Sequence, residues 1–246
     1  MMNTIFSHRS IRKFKPSKIE SEKIKKMVEA AIRGSSTGNM QLYSIIVTTD
    51  DKIKEALSPC HFNQPCLKSA PMVVTFCADI NRFSHWCKLS NADPHYNNFA
   101  WLTASTIDTV IAAQNFALEA EHLGLGICYL GTTTYNAQEI IKVLDIPRGV
   151  IPVTTLVVGY PDNQPNLVDR LPLEAVLHSE KYHDYDDLTI KSLWKEKESL
   201  EEMQNLVKQN ETENLAQIFT EKRYKKEDNI FFSEKYYNAL IEQGFI

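Results

Sequence analysis

Glycine is scarce in this chain, at 8 of 246 residues, so the places where one occurs carry information about turns and close approaches. Long apolar runs are missing. No stretch offers the roughly 18 uninterrupted apolar residues of a membrane-spanning helix, and the first residues, Met1 to Arg9, lack an apolar run followed by a small-residue cleavage site. A cytoplasmic protein is therefore expected, neither secreted by a visible signal nor anchored in a membrane. Basic excess is missing too: Lys plus Arg is 27 against 31 for Asp plus Glu, a formal net charge of -4, which argues against nucleic acid as a partner. The five cysteines (Cys60, Cys66, Cys77, Cys87 and Cys128) form no Cys-x-x-Cys pair, so neither a disulfide framework nor a zinc ribbon is indicated. Cys77 and Cys128 lie in apolar runs and are expected in the core, whereas Cys60, Cys66 and Cys87 lie among loop-like residues, where a reactive thiol is conceivable. The 7 histidines are scattered without ligand spacing, His85, Cys87 and His95 coming nearest, and no metal site is expected. Ser-His-Asp elbows, His-Glu-x-x-His, Walker loops and Gly-x-Gly-x-x-Gly after a strand are all lacking.

What is present is the composition of a globular protein, 43% hydrophobic and 24% charged, in a length that suits one large domain or two small ones. Ile24, Met27, Val28, Ala31 and Ile32 recur at helical spacing after Pro16–Glu22, with Gly34 as a stop. The β-branched run Ile45–Thr49 predicts a buried strand, and Met72–Ala78 a second, with a short helix near residues 51–58 between them. The longest helical pattern covers residues 97–123 and is apolar on more than one stripe, as suits a domain centre or a subunit interface. Gly124 ends it, a glycine-flanked strand lies within Gly124–Gly131, a helix follows through residues 139–144, and Val153–Gly159 is a strand. Helices and strands alternate to about residue 160, which gives a sheet with helices on its faces. Residues 161–187 read as an extended arm and 188–209 and 233–243 as charged helices, with Ser233 as N-cap of the last and Gly244 beyond its end.

Three polar elements could carry chemistry. His8-Arg9-Ser10-Ile11-Arg12 sets two guanidiniums and a hydroxyl before the first helix, a donor set suited to phosphate; a solvated basic N-terminus is its other reading. Ser35 to Gln41 offers uncharged donors and acceptors suited to a heteroaromatic edge or a polyol chain, or simply closes a helix-to-strand loop. Tyr129-Leu130-Gly131 follows a strand, where a residue without a side chain lets a ligand approach the backbone or merely makes a turn. Arg170 is a further cation, for which a salt bridge to Asp169 or Glu174 is the alternative role.

Taken together, His8-Arg9-Ser10-Ile11-Arg12-Lys13-Phe14, Ser35-Ser36-Thr37 with Gln41, Phe76-Cys77-Ala78-Asp79 with Asn81-Arg82, Asp108-Thr109 with Ala113-Gln114-Asn115, Leu123-Gly124-Leu125-Gly126 with Tyr129 and Gly131, and Arg170-Leu171-Pro172 resemble the FMN-dependent nitroreductase family. The likeness is strongest to its oxygen-insensitive NADPH nitroreductases and NADPH-flavin oxidoreductases and extends over essentially the whole chain. It implies an α+β, three-layer fold with a mixed central sheet, a single domain over 1–246 made of a core (1–160) and an arm with a helical tail (161–246), and a homodimer whose terminal arms wrap the partner. It implies bound FMN contacted by His8, Arg9, Ser10, Ile11, Arg12, Ser36, Gln64, Tyr129, Leu130, Gly131 and Arg170, with no catalytic side chain. Arg12 would face the electron-rich edge of the ring, Arg9 and Arg170 the phosphate, and the Gly131 amide the N5/O4 edge. The pattern departs at Val168, where that group usually carries lysine.

The activity so implied is ping-pong two-electron transfer from NADPH or NADH to small-molecule acceptors such as nitroaromatics, quinones or free flavins. Arg223 and Lys225, in the basic cluster with Lys222 and Lys226, fall where related enzymes contact the 2′-phosphate of NADPH; a solvated charge run is the other reading. A specialised reaction (a flavin as substrate, or dehalogenation) and a non-redox binding role are the alternatives.

Overall fold

The computed structural model describes residues 2–246, in two compact units, one from the N-terminus to Asn166 together with Phe232–Ile246 and the other Leu167–Phe231. The first unit contains α1 (Met2–Phe6), α2 (Ser21–Ala31), β1 (Tyr43–Thr48), α3 (Asp51–Cys60), α4 (Pro65–Ser69), β2 (Met72–Asp79), α5 (Asn81–Leu89), α6 (Phe99–His122), β3 (Gly126–Leu130), α7 (Ala137–Val143) and β4 (Val150–Gly159). The second contains α8 (Asp187–Ser199), α9 (Glu201–Gln209) and α10 (Leu215–Gln217), which runs on as a π-helix over Ile218–Arg223. Helix α11 (Lys226–Gln243) begins in the second unit and ends in the first.

The strands order as β1-β2-β4-β3. Every ladder among the described residues is antiparallel, with Ile45 opposite Phe76, Val74 opposite Leu156 and Cys128 opposite Val157. The α+β class is as expected; the mixed sheet is corrected to an antiparallel one, because no strand of the described chain runs parallel to a neighbour. Alternation along the strands sends side chains to both faces. Val73, Cys77, Cys128, Leu130 and Val157 pack with Leu57, Cys60, Leu67 and Ile140 from α3, α4 and α7. Met72, Val74, Phe76, Ile127, Leu156 and Val158 pack with Met27 and Ala31 of α2 and Ala112, Ala113, Phe116, Ala117 and Ala120 of α6. The rings of Phe76 and Phe116 meet edge to face at 5.4 Å. The result is three layers, helices on either side of one sheet.

Helix α6 buries one stripe, while Phe99, Ile107 and Val110 on another are exposed. It ends at Gly124, whose φ of +80° suits a residue without Cβ. Asp50 caps α3, its carboxylate accepting from the Lys52 and Ile53 amides at 2.9 and 3.0 Å. Two expectations fail locally. Ser233 lies inside α11, because the helix starts at Lys226 and the Asn229 amide already donates to the Lys225 carbonyl at 2.9 Å. Cys60, Cys66 and Cys87 are buried in helices rather than set in open loops, and all five thiols are buried and unbridged.

The segment after α1 positions the site. The Ile11 amide donates to the Ile127 carbonyl at 2.9 Å, the Lys15 amide to Tyr160 at 2.8 Å and the Asp162 amide to Lys13 at 3.0 Å, while Phe14 and Pro161 form an antiparallel bridge. The segment is therefore tied to the edge strand β3 at Ile127 and, through Lys13, Phe14 and Lys15, to the chain that follows β4.

Candidate functional site

Alternation along this edge segment divides the candidate residues. Ile11 is buried in the core against Gly126, where an added Cβ would stand 2.5 Å from its side chain, so Ile11 offers a ligand only its backbone. Arg12 is exposed and takes part in none of the hydrogen bonds or ion pairs among the described residues, and its charge is felt by the thiols of Cys66 and Cys128. Arg9 is differently engaged: its Nη1 donates to the Pro165 carbonyl at 2.9 Å and its Nε to Ser7 at 3.2 Å. His8 meets Glu121 at 2.6 Å through Nδ1. Ser10 is half-buried.

A cleft of about 590 Å³ opens beside the start of β3, lined by Ser7, Arg9, Lys15, Glu121, Gly126 and Asn163 among others. It brings two cations, Arg9 and Lys15, to one concave surface.

At the other end of β3 the loop before α4 meets the turn after the strand. Gln64 precedes Pro65, which opens α4 with its fixed φ. The Gln64 Nε2 donates to Thr132 Oγ1 at 3.4 Å, and His61 Nδ1 lies 2.9 Å from the same oxygen. Cys66 Sγ donates to Gln64 Oε1 at 3.9 Å. The Cys128 thiol donates to the Tyr129 carbonyl at 3.5 Å. The proximity of Cys128, against the effect of burial and with help from the Arg12 charge, lowers the Cys66 thiol to about 7, while Cys66 and burial push Cys128 up. Leu130 is buried in the core. Tyr129 points outward, its hydroxyl donating to Gln114 Oε1 at 3.3 Å, and burial followed by the Glu121 charge pushes its phenol upward. A Cβ built at Gly131 would meet nothing within 4 Å. This glycine thus borders open space and is not required by packing. The structure therefore brings Gln64, Cys66, His61 and Thr132 together beside Gly131, His61 and Thr132 not being among the expected site residues, while the Arg12 charge acts on the thiols of Cys66 and Cys128.

Ser36 stands apart from those contacts. Its Oγ accepts from the Gln41 amide at 3.3 Å, and its loop is held by buried Asp108, which accepts from the Thr37 amide at 2.9 Å and the Thr37 hydroxyl at 3.2 Å. In the second unit Arg170 is exposed and donates to the carbonyls of Asp169 at 2.9 Å and Val168 at 3.3 Å. Asp169 pairs with Lys197 at 2.6 Å, so the alternative salt bridge from Arg170 to Asp169 is not formed. Arg223 and Lys225 are exposed, the guanidinium of Arg223 lying 5.8 Å from the centre of the Phe219 ring. Among the described residues there is no cluster of three or more potential metal-ligating His, Cys, Asp or Glu, and no helix long and apolar enough to cross a membrane.

Residues 5–160 match the model of the nitroreductase family. A solved structure from Bacteroides fragilis NCTC 9343 is 48% identical, with a TM-score of 0.98 and full coverage of both chains. Of the proteins from Bacillus subtilis strain 168, one named FMN reductase (NADPH) is 35% identical over 74% of each chain. A second, named FMN reductase [NAD(P)H], is 31% identical over 100% of this chain and 97% of its own. With its three-layer sheet core and this match over more than half its length, the chain belongs to the nitroreductase family.

Proposed function

We propose that this protein is an NAD(P)H-dependent oxidoreductase that holds FMN and reduces small planar acceptors, nitroaromatics, quinones or free flavins among them. The observation that carries the reading is an exposed guanidinium, Arg12, that no hydrogen bond or ion pair engages among the described residues; Gly131, which borders open space, adds a backbone edge free of side-chain packing. The donor set fits the cofactor: guanidiniums for a phosphate and for an electron-rich ring edge, an amide at Gly131, and the Gln64 carboxamide beside it. Bound FMN would supply two-electron exchange between a nicotinamide and the acceptor. The protein's part is positional. Arg12 sets a fixed positive charge where negative charge accumulates on reduction, an electrostatic contribution that needs no reorganisation. Arg9, oriented by the Pro165 carbonyl, serves the phosphate, and Arg170 supplies a second guanidinium for it where Val168 offers no charge. His8, Ser10, Ser36 and the Tyr129-Leu130 backbone complete the set of contacts.

The functional unit is a homodimer on this reading. Phe99, Ile107 and Val110 on α6 supply an exposed apolar stripe for a second copy, and the arm from residue 161 onward extends to that partner. Arg223 and Lys225 select NADPH through its 2′-phosphate; the two Bacillus relatives are named for NADPH and for NAD(P)H respectively. A cytoplasmic location accords with unbridged thiols and with use of NAD(P)H.

The visible spectrum of the purified protein tests the core claim. Oxidised-flavin bands, lost anaerobically with NADPH and restored by a quinone or nitroarene, are expected. A colourless protein that FMN cannot reconstitute overturns it. For the nucleotide, the double change Arg223→Ala and Lys225→Ala is expected to raise the KM for NADPH and leave that for NADH unchanged; equal effects refute the selectivity.

A further inference from the structure

Thr132 follows Gly131 and is half-buried, and its hydroxyl oxygen is the meeting point of two side chains from the loop before α4. His61 is fully buried at the end of α3, its Nδ1 2.9 Å from Thr132 Oγ1 and its Nε2 buried without a partner. Burial lowers its pKa to about 4, so near neutral pH the ring is uncharged and carries one proton. If that proton sat on Nε2, a buried N–H would be orphaned; with it on Nδ1, only a lone pair is left unpaired, and orphaned buried N–H groups are the rarer and costlier case. His61 therefore donates from Nδ1 to Thr132. Gln64 also donates, at 3.4 Å, and its amide is oriented by the Cys66 thiol, which donates to Oε1 at 3.9 Å.

A threonine hydroxyl has two acceptor positions and one proton to give. Both acceptor positions of Thr132 are filled from behind, and no acceptor for its own proton is present among the described residues. The neighbouring Gly131 borders open space. We infer that the Thr132 hydroxyl is a directed hydrogen-bond donor to an acceptor atom of the bound flavin ring, its orientation set by His61 and Gln64. The inference rests on the FMN reading above and adds to it a side-chain donor. A donor at a ring acceptor stabilises the reduced, more electron-rich ring more than the oxidised one. Thr132 is then a residue that tunes how readily the cofactor is reduced, with His61 as its positioning residue.

Thr132→Val keeps the shape and removes the donor, and Thr132→Ser restores it. The readouts are FMN affinity of the apoprotein, by quenching of FMN fluorescence, and the midpoint potential of the bound flavin. Thr132→Val is expected to raise the FMN dissociation constant about fivefold, as loss of one hydrogen bond does, and to make the potential more negative. Thr132→Ser is expected to match the wild type in both. His61→Asn, whose amide can replace Nδ1–H, should retain the wild-type potential, and His61→Leu should shift it in the same direction as Thr132→Val. Should Thr132→Val not fold, Thr132→Ala carries the same expectation. If wild type and Thr132→Val bind FMN equally tightly at the same potential, the hydroxyl meets only solvent and the inference is overturned while the FMN reading stands. If the wild type does not bind FMN, the FMN reading and the inference fall together.

Discussion

The first compact unit buries three apolar clusters, whereas the second, Leu167–Phe231, buries among its large aliphatic and aromatic side chains only Leu215 and Ile218. In the second unit Leu173, Val176, Leu177, Leu188 and Phe231 are exposed. Elements that bury apolar area on both faces of a sheet stabilise themselves; elements that leave comparable side chains in water have their favourable burial still to make. The same contrast runs through the residues proposed to bind ligands: Arg12, Gln64 and Gly131 belong to the first unit, whereas Arg170, Arg223 and Lys225 belong to the second.

The most direct way to break this comparison is to remove a ring from the core. Phe116→Ala is expected to lower the unfolding free energy by about 3 to 5 kcal/mol, and Leu177→Ala by less than about 0.5 kcal/mol, both read from urea unfolding. Similar losses would show that the second unit has a core of its own. The next effect is acid sensitivity of the first unit. Because burial lowers His61 from 6.5 to about 4, its contribution is fully present above pH 6.5 and is lost as pH falls toward 4. The unfolded chain takes up the proton first, for a loss of about 3 kcal/mol in all. Unfolding curves at pH 7 and pH 4.5 should differ more for the wild type than for His61→Asn, and equal slopes would contradict the burial argument.

Two glycines on one strand and its turn sharpen the contrast between packed and open space. Gly126→Ala drives a methyl into Ile11 and should destabilise by about 1 to 3 kcal/mol, while Gly131→Ala should change the melting transition by less than about 0.5 kcal/mol. A large loss at Gly131 would mean that the turn, rather than a ligand, requires it. Leu177→Ala is expected to be as mild for stability as Gly131→Ala. Its consequence should instead appear in sedimentation, as a larger monomer fraction at low concentration, and an unchanged distribution would remove this residue from the interface.

Much of the core was legible because its signals are local. The β-branched run from Ile45 predicts β1, and the spacing of Leu102, Phe116 and Ala120 predicts α6. Helix α5 is not among the expected elements: Phe83, Trp86 and Cys87 do recur at helical spacing, but over little more than one turn, and its N-cap residue offers no capping side chain. Strand direction was not legible either, since side-chain alternation is the same in parallel and antiparallel ladders. Within the site, Arg9 and Arg12 are identical in type and three residues apart; only tertiary contact commits Arg9 to the Pro165 carbonyl and leaves Arg12 uncommitted. His61 and Thr132 carried no signal. One is among 7 scattered histidines and the other opens a run of three threonines that reads as a turn. Their meeting depends on Phe62 and Asn63 adopting positive φ of 53° and 54°, a backbone choice that bulky Phe62 gives no cause to expect.

The segment that carries Arg9 and Arg12 is also bonded to the edge strand β3 at Ile127 and, further on, bridged to Pro161 through Phe14. An uncovered strand edge is a template for pairing with other chains. Peeling residues 8–15 away would carry off Arg9 and Arg12 and leave the Ile127 carbonyl on the edge strand unpaired in the same movement. Occupancy by an anion that grips both guanidiniums would then protect the protein against aggregation, so its shelf life in solution should follow its cofactor content.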